Sequence, residues 1–260
     1  MFSRKSRRSD SRPPEAPHET AAETPVEALN SPTPLVSSSP MLASFPAPAA
    51  SFEVFAESQL VEGFFLAGHL RIRGAGGAGD PENARALIKT AAHLLGASLS
   101  VAYAYAATGE IDVILRPNPP LPSPRGLLAQ LAAQASAKHS LLNGRPCTFD
   151  VRLYEFPRAD LLQTYFRWRQ EEAEARLLDE ICAEALASAG KEAGTLVGMS
   201  PDEKQELLRR SSVDWDKLAA WQRRGAGLYL GDASDGDGDL VVETELPGGD
   251  TYQQFLAKFV

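Results

Sequence analysis

The sequence predicts an α/β fold in which a four-stranded sheet is packed by two helices, in the order strand, helix, strand, strand, helix, strand. Three observations lead to this prediction. Runs rich in β-branched and aromatic residues alternate with segments whose apolar residues recur at helical spacing. Glycine and proline clusters at residues 74–81 and 117–124 separate these runs. The composition, with 43% hydrophobic and 23% charged residues among 260, is that of an ordinary globular protein.

The first three elements form a strand, helix and strand unit. Residues 61–73 are predicted as a buried strand, which the glycine-rich run at residues 74–81 ends. Residues 82–95 are predicted as a helix because six apolar residues recur there at helical spacing; these are Ala84, Leu87, Ile88, Ala91, Leu94 and Leu95. Residues 98–106 are predicted as the second strand.

The second half of the pattern starts with a third strand at residues 111–116. The short connection at residues 107–110 predicts a hairpin between the second and third strands. A helix rich in alanine and leucine is predicted at residues 125–139, and a fourth strand at residues 148–153. This order is that of a ferredoxin-like, or palm-like, α/β sandwich over residues 52–156, a common pattern that by itself indicates no chemistry.

A helical extension is predicted to follow the sandwich. Residues 160–189 form a long amphipathic helix that should pack across the sheet. Residues 200–210 begin with Ser200 at the capping position and Pro201 at the first helical position, which is typical of a helix start. Residues 231–239 hold four acids, but neither possible start of a calcium loop gives both its central glycine and its closing glutamate, so we expect a solvated acidic turn.

The chain is thus predicted to have three segments. Residues 1–50 hold nine of the 19 prolines and form a disordered Pro/Ser/Ala-rich tail; residues 51–231 form the palm-like domain with its C-terminal helices; residues 232–260 form the acidic turn and C-terminal segment. The basic start of the tail could be an RNA-binding arm or a targeting segment, but the glutamates that follow favour a solvated tail.

Charge and composition exclude several classes of protein. The first twelve residues carry a net charge of +4 within a total of −8, so the rest carries −12, which argues against broad, charge-driven binding of nucleic acid. No apolar run is long enough to span a membrane, and no secretory signal is present, so we expect a cytoplasmic protein. The two cysteines and four histidines show no zinc-site spacing and predict no disulfide framework.

The glycine-rich run satisfies the spacing G-x-G-x-x-G, through Gly74, Gly76 and Gly79. Such a run after a strand can approach a dinucleotide pyrophosphate. The predicted helix begins only after Pro81, and no acid follows at the distance needed to hold a ribose. A flexible loop is therefore the favoured interpretation, and a dinucleotide site remains a minor alternative.

Four spaced segments carry a more specific signal: CTFDVRLYEFP (147–157), LLQTYFRWRQEEA (161–173), GMSPDEKQELL (198–208) and AWQRRGAGLYL (220–230). Together they resemble the tRNA-histidine guanylyltransferase family and its bacterial and archaeal Thg1-like relatives, which extend RNA in the 3′-to-5′ direction. Upstream, GFFLAGHLRIRG (63–74) and AYAYAATGEIDVIL (102–115) fall where that family has its metal-binding strand ends. The resemblance covers residues 52–231.

In that family the resemblance implies two aspartates that bind two Mg²⁺ ions, which activate a tRNA 5′ end and then drive attack by the 3′-hydroxyl of GTP. Here the first aspartate aligns with Arg71, its neighbouring glycine with Ile72, and the second aspartate with Gly109. Only the adjacent glutamate is retained, as Glu110. Since Arg71, Gly109 and Glu110 together carry no net charge, we expect no intact catalytic site, no bound metal and no cofactor.

Other departures lie in the long helix, where a family H-x-N becomes Glu174 and Arg176 and a later asparagine becomes Asp179. An acid at Glu174 would repel a nucleotide phosphate. The remaining candidates for contact with a nucleotide or RNA are cations and one glycine: Arg73, Gly74, Arg152, Arg169, Lys204, Arg223 and Arg224. Aromatic residues beside arginines can stack bases. For Trp168 and Trp221 we favour core packing, and for Arg169 an ion pair with a carboxylate.

The leading functional interpretation is a catalytically inactive relative of these guanylyltransferases that binds RNA or a nucleotide, or acts as a regulatory subunit. Its expected partners are tRNA or another RNA and further subunits, either copies of itself or an active relative, with no membrane partner. The sequence also predicts that Arg71 and Glu110, at adjacent strand ends, form an ion pair in place of the metal.

The alternative is an active Mg²⁺-dependent tRNA guanylyltransferase with a displaced metal site. Glu110 and Asp112 are two residues apart on a predicted strand, so their side chains share a face, and Asp80 could join them from the glycine-rich run. Only this alternative requires Mg²⁺ with GTP or ATP.

Overall fold

The computed structural model describes residues 49–73, 81–97, 99–117, 119, 123–231 and 238–260. The strands are β1 (Glu53–Val54), β2 (Phe65–Arg73), β3 (Val101–Ala107), β4 (Glu110–Leu115), β5 (Thr148–Phe156), β6 (Ala226–Leu230) and β7 (Leu240–Glu243). The α-helices are α1 (Pro81–Gly96), α2 (Pro124–Asn143), α3 (Ala159–Ser188), α4 (Pro201–Arg210), α5 (Ala220–Arg224) and α6 (Gly249–Leu256). In the described part of the chain, the strands form one sheet in the order β1-β5-β2-β4-β3-β6-β7.

The predicted palm-like sandwich is confirmed. Its chain order is β2, α1, β3, β4, α2, β5, and its four strands lie side by side as β5-β2-β4-β3, all antiparallel to their neighbours. The predicted hairpin between β3 and β4 is also present. Thr108 and Gly109 at its tip have φ values of 45° and 79°, and a two-residue hairpin turn with positive φ at both residues fits the twist of the strands.

The sheet buries both faces, against different helices. The face that packs on α1 and α2 is aliphatic and includes Leu70, Val113 and Leu153. The opposite face packs on α3 and α6 and is aromatic, with Tyr103, Tyr154 and others against Phe166. Because side chains alternate along a strand, each strand contributes to both cores. Near the ends of β2 and β4, successive polar side chains therefore point alternately towards α3 and away from it.

The sheet is larger than the sequence predicted. The short strand β1 pairs with β5 at one edge, and β6 and β7 extend the other edge from β3. The sequence predicted that the palm-like domain ends at residue 231. In the structure, α6 also packs into the aromatic core through Tyr252 and Leu256, which are fully buried. The hydroxyls of Tyr103 and Tyr252 lie 2.9 Å apart, which ties α6 to β3.

Helix α3 has 30 residues and contacts two different partners. Its first half packs on the sheet, and its second half forms a separate apolar cluster with α4, in which Leu178, Cys182 and Leu208 are buried. Helix α4 starts as predicted, because the Ser200 hydroxyl accepts a hydrogen bond from the Glu203 amide and the Glu203 carboxylate accepts one from the Ser200 amide.

Three of the expectations fall outside the described residues. They are the disordered tail, the glycine-rich run with Gly74 and Asp80, and the acidic turn at residues 232–237. Within the ranges that the structure describes, no helix is both long enough and apolar enough to cross a membrane.

Candidate functional site

The candidate site lies where β2 and β4 run side by side beneath α3. In the sheet register, Arg71 is opposite Glu110 and His69 is opposite Asp112. Since residues two apart on a strand share a face, all four side chains are on the face that α3 covers. The guanidinium of Arg71 and the carboxylate of Glu110 are therefore neighbours on this face.

The predicted ion pair between these two residues is confirmed. Nε of Arg71 lies 3.5 Å from Oε1 of Glu110. Glu110 is only 4% exposed, so its charge requires compensation by neighbouring protein groups rather than by water.

Asp112 is completely buried, and both of its carboxylate oxygens accept hydrogen bonds from protein donors. Its Oδ1 accepts from Nδ1 of His69 at 2.9 Å and from the hydroxyl of Tyr165 at 2.6 Å. Its Oδ2 accepts from Nε of Arg169 at 3.1 Å. The carboxylate is thus held by three side chains from two elements.

Arg169 joins the two carboxylates. Its side chain is 3% exposed, and its guanidinium donates to Glu110 as well as to Asp112 and to Glu172 on its own helix. Arg176, two turns further along α3, lies 2.8 Å from both Glu110 and Glu172. We call this group the buried ion cluster; its members are His69, Arg71, Glu110, Asp112, Tyr165, Arg169, Glu172 and Arg176.

The electrostatics of the cluster keep both strand carboxylates ionised. Burial alone would raise the pKa of Asp112. The guanidinium of Arg169 and the hydrogen bonds that Asp112 accepts from His69 and Tyr165 outweigh burial and hold that pKa well below its usual value. The pKa of Glu110 is lowered in the same way, because Arg169, His69 and Arg176 together outweigh burial. Conversely, although burial opposes its charge, the carboxylates raise the pKa of Arg169 well above its usual value.

These residues do not fit a magnesium site. Glu110 and Asp112 do share a face, as the alternative interpretation expected, but their oxygens accept from guanidinium, imidazole and phenol groups. Mg²⁺ needs several free anionic oxygens around it, and Arg169 places a cation between the two that are available. In the described part of the chain, no group of three or more His, Cys, Asp or Glu side chains is arranged to hold a metal ion.

Most of the predicted binding cations are paired with acids of the same chain. Arg73 pairs with Asp150, Arg152 lies 3.0 Å from Glu53, and Lys204 lies 2.5 Å from Asp179. Gly109 is the second residue of the hairpin turn, and its carbonyl accepts a hydrogen bond from the amide of Ile72. Gly74 lies outside the described residues.

The last two candidates lie at the end of α5. Nη1 of Arg223 is 3.8 Å from the exposed Asp216, a loose contact. The guanidinium of Arg224 has no ion pair or hydrogen bond to any residue that the structure describes. Of the candidate cations, Arg224 is therefore the one without an ion pair among the described residues.

The core packing predicted for Trp168 is confirmed. It packs against the aromatic core, and the guanidinium carbon of Arg169 lies 5.4 Å from its ring centroid. The predicted pairing of Arg169 with a carboxylate is confirmed by its contacts with Glu110 and Asp112. Trp221 lines a small apolar cavity of about 240 Å³ between α1 and the C-terminal half of α3.

Sequence reasoning missed three members of the cluster, His69, Tyr165 and Glu172. A signal for His69 was present, because it lies two residues before Arg71 on the same predicted strand and so shares its face. The helical periodicity of residues 160–189 predicts Tyr165 on the apolar face of the long helix, and it does not distinguish a packed ring from one whose hydroxyl reaches a buried carboxylate.

By sequence, the chain matches no protein-family model and no curated protein. By structure, it resembles a bacterial tRNA(His) guanylyltransferase (Thg1)-like protein in complex with ATP, with a TM-score of 0.66 and 19% identity, over 79% of this chain and 94% of that one. The same kind of protein in complex with GTP gives a TM-score of 0.64 at 19% identity, over 78% and 93% of the two chains. The tRNA(His) guanylyltransferase of Saccharomyces cerevisiae gives 0.60 at 14% identity, over 66% and 88%. The chain therefore has the fold of these proteins.

Proposed function

We propose that this chain is a Thg1-like relative of the tRNA(His) guanylyltransferases that has exchanged the palm metal site for an internal ion cluster. It acts without nucleotidyl transfer, by binding RNA or a nucleotide or as a regulatory subunit. The observation that carries this proposal is the buried guanidinium of Arg169, which contacts both Glu110 and Asp112.

The physical argument concerns charge at the strand ends. Two-metal phosphoryl transfer needs a concentration of anionic oxygens that can neutralise two dications. Here three guanidiniums, from Arg71, Arg169 and Arg176, already neutralise the carboxylates. A dication would have to displace at least Arg169, a residue of α3 that is 2% exposed and buried between this helix and the sheet.

The binding role rests on the fold and on the cations that remain. Two solved structures with this fold carry ATP and GTP, which supports recognition of a nucleotide or of RNA by this chain as well. Arg224 is available for such contact, since no described residue pairs with it. We further propose a cytoplasmic protein whose partners are tRNA or another RNA and either copies of itself or an active relative.

A second candidate is an active guanylyltransferase whose metal site is displaced to Glu110 and Asp112. The observation that favours it is that these carboxylates lie on one face of β4 beneath α3. It requires Arg169 and Arg176 to move away when Mg²⁺ and GTP or ATP bind. In a direct assay, this second candidate therefore predicts nucleotide addition to the tRNA, whereas the first proposal predicts none.

The assay is incubation of the full chain with Mg²⁺, ATP, labelled GTP and a 5′-monophosphorylated tRNA. We expect no labelled nucleotide at the tRNA 5′ end, because the strand ends cannot neutralise the developing charge of the phosphoryl group. An active Thg1-like protein run in parallel shows that the substrate is competent. Addition at a rate within about a thousandfold of that control, a loss typical when one stabilising group is removed, would contradict the first proposal.

A further inference from the structure

His139 on α2 is a completely buried histidine at the contact of α2 with α1 and β5. Its Nδ1 lies 3.1 Å from the hydroxyl of Thr90 on α1. Its ring stands perpendicular to that of Phe149 on β5, with the two ring centroids 5.5 Å apart. Its Nε2 has no hydrogen-bond partner among the described residues. This histidine is separate from the buried ion cluster, because α1 and α2 cover the opposite face of the sheet.

The hydrogen bonds of Thr90 indicate which nitrogen of His139 carries the proton. The Thr90 hydroxyl donates its single proton to the carbonyl of Ala86, at 2.8 Å. It can therefore only accept from the imidazole, so Nδ1 of His139 is protonated and Nε2 is a bare acceptor. A positive charge on the ring requires a second proton on Nε2, and no described group is placed to accept a hydrogen bond from it.

The surroundings of the imidazole also oppose a positive charge. Burial lowers the pKa of His139 below its ordinary value, the backbone of Ala86 offsets part of this effect, and the guanidinium of Arg145 adds to it. From α1 the ring meets Thr90 and from β5 it meets Phe149, and both are neutral. Among the described residues, the ionised group that acts on the ring is thus a second cation, in the turn that follows α2.

We propose that His139 makes the contact of α2 with α1 and β5 sensitive to acid. When this contact opens, the imidazole reaches water and takes up a proton with the ordinary pKa of about 6.5, whereas the closed form excludes that proton. The closed form is therefore fully favoured above about pH 6.5. Each pH unit below that value favours the open form by up to about tenfold, until the pH reaches the folded-state pKa. This inference does not depend on the proposed function, since no nucleotide or RNA takes part.

The test compares amide hydrogen exchange of the full chain at about pH 7.5 and about pH 5.5, with each rate corrected for the chemical effect of pH. The protection factors of residues 131–143, the second half of α2, should fall about three- to tenfold, because opening of this segment exposes His139. Those of residues 161–173, in the half of α3 that packs on the sheet, should change less than about twofold. An equal fall in both helices would contradict a switch confined to α2 and its neighbours.

His139→Phe removes the titrating nitrogen and keeps an aromatic ring. The hydroxyl of Thr90 retains its hydrogen bond to the helix carbonyl, so no buried donor loses its acceptor. The protection factors of α2 should then be equal at the two pH values. His93→Gln is the matched control, because His93 on α1 is half-buried and its Nε2 already has a partner, Oε1 of Gln134 at 2.9 Å. In this control the fall in protection should remain.

The imidazole ¹⁵N shifts of the wild type test the same point without any substitution. We expect the neutral ring of His139 to carry its proton on Nδ1, and the ring to titrate below about pH 6.5. Three results would overturn the proposal: a proton on Nε2 of the neutral ring, titration of His139 at or above its ordinary pKa, or a fall in protection that persists in His139→Phe.

Discussion

Replacing Arg169 with methionine is expected to lower the free energy of unfolding by about 3–5 kcal/mol, the usual cost of leaving buried charges without their partner. Methionine keeps much of the length of the side chain, so the loss of packing is small. Glu110 and Asp112 would keep Arg71, Arg176 and His69 but lose Arg169, which contacts both carboxylates. Denaturant unfolding followed by circular dichroism measures the change.

Two further variants locate the cause of that loss. Arg167→Met changes the same residue type on the same helix, where the partner Asp250 is 82% exposed, and should cost at most about 1 kcal/mol. The triple variant Glu110→Gln, Asp112→Asn and Arg169→Met leaves no buried charge from these three residues and should recover part of the lost stability. If Arg169→Met costs no more than Arg167→Met, the buried ion cluster does not contribute to stability as described.

Acid is expected to destabilise the protein steeply through the same carboxylates. The pKa values of Asp112 and Glu110 are lowered in the folded state, so their contribution is complete above their unfolded-state pKa values, about 4. As the pH falls below that value, the unfolded chain binds protons that the folded chain does not. Each carboxylate then removes up to about 1.4 kcal/mol of unfolding free energy per pH unit, until the pH passes its folded-state pKa.

The measurement is the unfolding free energy between pH 5 and the lowest pH at which the chain is still folded. Asp112→Asn should give a shallower slope than the wild type, because one proton-binding group is removed. Asp202→Asn, an exposed acid on α4, is the control and should leave the slope unchanged. The ¹³C shift of the Asp112 carboxyl tests the same point within the wild type, and titration of that carboxyl near its ordinary pKa would contradict the account.

The central part of the fold follows from local sequence patterns, whereas its edges do not. The βαββαβ order is predictable because its strands and helices are long enough to show their periodicities, and Gly109 allows a tight hairpin turn. The strands β1 and β7 have two and four residues, too few for a pattern. Their pairing depends on strand edges that only the folded sheet provides.

The site was predictable in part for a similar reason. The pairing of Arg71 with Glu110 follows from the position of each residue on its strand. The role of Arg169 depends on which face of α3 meets the sheet, and that is set by packing far along the chain. That Nε2 of Gln170 has no hydrogen-bond partner among the described residues is a property of tertiary structure, with no local signal in the sequence.

The most direct test of the account is whether the full chain binds a divalent cation at Glu110 and Asp112. Titration with Mn²⁺, followed by the electron paramagnetic resonance signal of the free ion, measures this binding without any need for activity. We predict that wild type and the Glu110→Gln, Asp112→Asn double variant give the same binding curve, because Arg169 already neutralises both carboxylates. One or two Mn²⁺ ions held tightly by the wild type and lost in the double variant would contradict the account.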